Sequence, residues 1–172
     1  FWLCYFGVLL IGVGLLLKNN ILFISQLYIL FIPDLIWFID FISYLLRDGN
    51  SYFGIVDYFF LPAPLLTKFV TLQHIFTIPL ALFLSYKFVG KNKGALIFSF
   101  LQLIFFFFIT KYFTSSGDNI NCVYRFCGGF GFGLGSSWYP FVWIGGGFLM
   151  IFLAYIFLNS LHGIWKGVKE NV

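Results

Sequence analysis

Apolar residues run along this chain in long blocks broken by short polar ones, and the blocks are the first thing to interpret. Five of them stand out, covering residues 1–17, 21–46, 68–89, 95–112 and 141–165. A helix that crosses a hydrocarbon layer of about 30 Å needs roughly 20 residues at about 1.5 Å each, and the blocks are of that order. They show little period-two alternation, so they read as helices rather than barrel strands, since lipid tolerates no unpaired backbone groups. The predicted fold class is an all-α, polytopic transmembrane helical bundle of about five spans, forming a single membrane domain over residues 1–172.

The polar breaks are sharp. Lys18-Asn19-Asn20 closes the first block and Arg47-Asp48-Gly49-Asn50 the second. The second block exceeds the hydrocarbon thickness, which predicts tilt or a bend near Pro33, whose missing N–H interrupts the helical ladder. Pro62 and Pro64 interrupt the approach to the third, placing residues 48–66 at the interface with a short amphipathic turn. The connection 113–140 starts polar and becomes Gly/Phe-rich over 127–135. It lacks the Lys and the strand-to-helix context of a phosphate loop and reads as an aromatic interfacial loop.

Composition narrows the class further. The chain is 61% apolar and only 9% charged, against about a quarter charged in soluble domains. Disordered, collagenous and nucleic-acid-binding proteins are excluded, and the expected partners are membrane lipids and other membrane subunits. No cofactor is implied. The net charge of +4 reflects loop lysines and arginines. Lys18, Lys87, Lys91, Lys93, Lys166 and Lys169 follow odd-numbered spans, while Arg47, Lys68, Lys111 and Arg125 follow even-numbered ones. The first group marks the cytoplasmic side, so the N-terminus is expected outside and the C-terminus in the cytoplasm. The chain opens at Phe1 without Met, so residues upstream are expected and no signal peptide is assigned.

Ionisable groups inside spans are costly and need a reason. Asp34 and Asp40 lie on the second block, about 120° apart around a helix, so they do not form one carboxylate pair. Asp40 is about 10 Å from the charged end at Arg47, and His74 is about 9 Å from Lys68 on the same side. These depths predict that Asp40 and His74 face each other, with Asn119 and Asn121 tying the following loop over them. Asp57, Gln73, Tyr112 and Tyr124 are candidate rim groups. A carboxylate beside an imidazole serves general acid/base chemistry, ligand binding or metal binding, or else clasps two helices together. Asp40 and His74 are the catalytic candidates, Trp37, Asn119 and Asn121 the binding candidates, and no metal site is assigned.

Weaker features have structural readings. Cys122 and Cys127 share a loop, where a disulfide and reduced thiols are both open, as is a nucleophile pair of a loop cysteine with His74. Gly7, Gly12 and Gly14, and Gly145 to Gly147, read as close helix contacts. His162 reads as an interfacial residue, and Phe105 to Phe108 as lipid-facing or core bulk.

Pro33-Asp34-Leu35-Ile36-Trp37-Phe38-Ile39-Asp40, His74 with Pro79-Leu80, and Asn119-Ile120-Asn121-Cys122-Val123 together resemble an uncharacterised family of small prokaryotic polytopic membrane proteins. Its signature is a P-x-x-x-W-x-x-D helix, an H-x-x-x-x-P-L helix and an N-I-N-W-V segment. The resemblance covers residues 1–125, with Cys122 standing where the pattern has Trp. It implies a prokaryotic plasma membrane and importance for Trp37, Asp40, His74, Asn119 and Asn121, and it carries no activity. Three functions remain open: a polar outer pocket that binds or acts on a small amphiphile or lipid, a structural or accessory subunit, and a transporter or proton conductor. Neither an inverted repeat nor a matched pair of broken helices supports the last.

Overall fold

In a computed structural model, described for residues 2–62, 64–88, 92–127 and 137–170, the chain forms helices and the loops that join them. The helices are α1 (Leu3–Leu16), α2 (Asn20–Leu46), α3 (Asp57–Phe60), α4 (Leu65–Thr71), α5 (Gln73–Phe88), α6 (Lys93–Phe113) and α7 (Tyr139–Glu170). Four stretches are long and apolar enough to cross a membrane: Asn20–Leu46, Leu65–Leu84, Lys93–Phe113 and Tyr139–Gly167. α1 is a shorter apolar helix. The chain is a helical bundle of about five spans, built as an integral membrane protein.

The polar breaks act as caps. Lys18 takes a left-handed conformation (φ 53°), which lets Asn19 N–H reach back to the Gly14 carbonyl at 2.8 Å and end α1. The Asn19 side chain then accepts from Leu22 N–H at 3.0 Å and starts α2. Asn92 does the same for α6 through Ala95 N–H at 2.9 Å. Of the lysines that follow the third span, Lys91 lies outside the described residues.

α2 is the hub. It packs on α1, α5, α6 and α7, and every residue from Phe23 to Phe31 is buried. α1 lies antiparallel against it because Gly7 and Gly14 have no side chain to hold them apart: a Cβ on Gly14 would sit 2.8 Å from the Phe23 backbone nitrogen. Gly147 gives α7 the same close approach to Leu103 of α6. The expectation of close contacts fails at Gly12, Gly145 and Gly146, where an added Cβ would meet nothing within 4 Å. α2 runs unbroken through Pro33, which is exposed on its outer face. Phe106 and Phe107 are buried and Phe105 and Phe108 exposed, so that quartet serves both core and lipid face.

Candidate functional site

Beyond Pro33 the burial of α2 changes character. The buried residues there are Asp34, Trp37, Asp40 and Ser43, a stripe with one member every third residue. A step of three falls about 60° short of a full turn, so the stripe winds around the helix and its members meet different neighbours. On α5 and the end of α4, Thr71, His74 and Thr77 are buried at the same spacing.

Asp40 does not pair with His74. Its carboxylate accepts three backbone N–H groups of the loop after α2: Phe53 at 2.7 Å to Oδ1, and Ile55 at 2.8 Å and Val56 at 3.1 Å to Oδ2. Ser43 extends the anchor, accepting from Tyr52 N–H at 3.0 Å and donating to the Asp40 carbonyl at 2.8 Å. With 0% exposure, Asp40 is a loop organiser whose charge is met by converging donors. Gly54 (φ 70°) permits the turn, and Ser51 bridges it to Asp57 at 2.6 Å.

The partner of His74 is Asp34, Nε2 lying 3.8 Å from Oδ1. Two features of the fold account for the difference. The helical stretch that carries His74, α4 continued by α5, begins at Leu65 rather than Lys68, which sets the imidazole nearly one turn deeper. The loop also folds back on α2 and takes Asp40 first. The pair is sealed: Asp34 is 2% exposed and His74 7%. Trp37 stacks on the imidazole, centroids 4.8 Å apart at 22°. The other neighbours of Trp37 are Phe41 at 5.2 Å and Phe59 edge-on at 6.2 Å, and its indole N–H donates to Tyr58 OH at 3.2 Å.

The ladder beside His74 is distorted. Ile75 N–H bonds the Leu72 carbonyl at 3.0 Å in a 3₁₀ turn, and the Thr71 carbonyl is taken by His74 Nδ1 at 2.7 Å. Such a turn between helical segments often marks a functional hinge or local strain.

Asn119 and Asn121 organise the loop after α6. Asn119, left-handed at φ 42°, accepts Tyr124 and Arg125 N–H at 3.1 Å each and donates to the Arg125 carbonyl at 3.0 Å. Asn121 accepts from Leu3 N–H at 2.8 Å and donates to Thr110 Oγ1 at 3.0 Å, and its carbonyl accepts Trp143 Nε1–H at 2.9 Å. It joins α1, α6 and α7. Cys122 is bridged to Cys127 with Cα atoms 5.4 Å apart, so in this structure it is no thiol partner for His74. The Gly-rich part of the loop, 128–136, lies outside the described residues.

Comparison finds no family model, curated protein or solved structure that matches this chain. Function therefore has to be argued from the site alone. Among the described residues no group of three or more His, Cys, Asp or Glu could hold a metal. Sequence reasoning set Asp34 aside and passed over Thr71, Thr77 and Tyr58; the shared three-residue spacing on two neighbouring helices was the signal that could have found the first three.

Proposed function

We propose that this chain is a structural or accessory component of a membrane, most simply a prokaryotic plasma membrane, and that its buried polar groups hold the bundle and its outer loops together. The observation that carries this reading is the closure of the Asp34–His74 pair under Trp37, with Asp40 consumed by loop N–H groups. The same pattern recurs elsewhere. Gln26 Nε2 donates to Gln102 Oε1 at 2.8 Å and Ser99 Oγ to the Ser25 carbonyl at 3.0 Å, joining α2 to α6, while Asn159 donates to Tyr28 OH at 3.3 Å, joining α7 to α2. General acid/base chemistry by Asp40 and His74 is not part of this reading, because neither offers a substrate an open face.

The orientation follows the basic residues and the disulfide. Cys122–Cys127 belongs in an oxidising compartment, which agrees with an outer position for the loop after α6 and a cytoplasmic C-terminus. Two measurements test the proposal. Single cysteines at Ser116 and at Asn92, in a background without the native cysteines, should react with an impermeant maleimide in intact cells only at position 116; reaction at 92 alone would reverse the orientation. Asp34→Asn and His74→Gln should lower the melting temperature in detergent and weaken retention of any co-purified membrane subunit in proportion. Variants that lost such a function at unchanged melting temperature would refute the structural reading.

A further inference from the structure

His74 declares its own tautomer. A carbonyl oxygen only accepts, so the Nδ1 that lies 2.7 Å from the Thr71 carbonyl carries a hydrogen. On a neutral ring, Nε2 therefore turns a lone pair toward Asp34. The 3.8 Å between Nε2 and Oδ1 is outside the range of a direct N–H···O bond, about 3.2 Å at most. Asp34 Oδ2 is buried with no hydrogen-bond partner among the described residues. The Thr77 hydroxyl stands beside Asp34, but its single hydrogen also has the Gln73 carbonyl to serve at 3.0 Å. Nε2, Oδ1 and Oδ2 are three acceptors on two adjoining buried side chains, one of them without a hydrogen-bond partner among the described residues.

We propose that this acceptor cluster binds a small protonated amine, with ammonium as the simplest member of the class. The chemistry calls for a cation because an ionised carboxylate held out of water needs an opposite charge beside it, and for more than one N–H donor because more than one acceptor is to be met. A donor about 2.9 Å from each of two atoms spans a 3.8 Å gap, which is ordinary charge-assisted geometry. An ion no larger than water needs no wide cavity. Oxygen-seeking metal cations are served less well, since one of the three acceptors is an imidazole nitrogen. Trp37, stacked on His74, adds an aromatic wall that excludes water from the pair. The proposal stands apart from the structural role: a clasp alone has no preference among monovalent cations.

The experiment is thermal unfolding of the purified full chain in an uncharged detergent at neutral pH, in sodium, ammonium, methylammonium or tetramethylammonium chloride at equal ionic strength. A saturable rise in melting temperature is expected with ammonium, weaker with methylammonium and absent with sodium and tetramethylammonium, because binding to the folded state alone stabilises it. In Asp34→Asn the apparent ammonium affinity should fall about tenfold or more, the scale of a lost bond to a charged acceptor, while Asp48→Asn should respond like the parent. Should Asp34→Asn not fold, the graded loss across the methylated series still decides the matter. Equal responses to sodium and ammonium, a full response to tetramethylammonium, no response to any amine, or an undiminished response in Asp34→Asn would each overturn the proposal.

Discussion

The two halves of α2 are buried by different means. From Phe23 to Phe31 every residue of the helix is buried in a core shared with α1, α5, α6 and α7, and its contacts are mostly side-chain packing. From Asp34 to Ser43 only one winding stripe is buried, and three of its four members are polar. Packing in the first half is tolerant of chemistry but not of volume. The second half is tolerant of neither, because most of its buried polar atoms have a directional partner to lose. The rigid core and the candidate site thus share one helix while depending on different forces.

The largest effect should fall on the polar half. Asp40→Ala leaves three loop N–H groups without their acceptor, and at about 1–3 kcal/mol for each unsatisfied group the loss should exceed about 3 kcal/mol. Hydrogen exchange should rise across residues 51–57 while the Phe23–Phe31 segment stays protected. If both segments exchange together, the halves are not independent. Gly14→Ala comes next: its new methyl would press on the Phe23 backbone, which cannot rotate away, at a cost of about 1–3 kcal/mol. Its damage should appear as a lower melting temperature with unaltered exchange in the outer loop. Gln102→Leu removes an α2–α6 hydrogen bond and should cost about 1 kcal/mol, since such bonds in membranes are modest. The smallest effect tests the rule of volume: Gly12→Ala meets nothing within 4 Å and should be neutral or stabilising by up to about 1 kcal/mol. Destabilisation there would place an unseen neighbour against that face.

Much of this was legible along the chain. Block length gave the spans, and Lys18-Asn19-Asn20 marked the end of the first block, where the structure adds that Asn19 also caps the helix that follows. What could not be read was the pairing. Asp40 and His74 lie at comparable computed depths, but depth ignores a loop that folds back, and the loop N–H groups reach Asp40 before any helix does. Backbone donors leave no trace in side-chain identity. The angular separation of Asp34 and Asp40 was read correctly, and it already implied different partners for the two. Asn121 was noticed as a polar residue beside a span, yet its three-way bonding to Leu3, Thr110 and Trp143 depends on left-handed backbone that no local pattern announces.

The winding stripe also sets a timetable for synthesis. Asp40 finds its donors 13 to 16 residues downstream, so its charge is answered almost as soon as that loop leaves the ribosome. Asp34 must wait for α5, and Gln26 for a residue 76 positions further on. Until then the α1–α2 hairpin carries unanswered polar groups into a membrane that resists them. The polar groups of α2 are therefore left without their helix partners until α5 and α6 have been made. A protein organised around its second helix is one whose centre must be made before its surroundings exist.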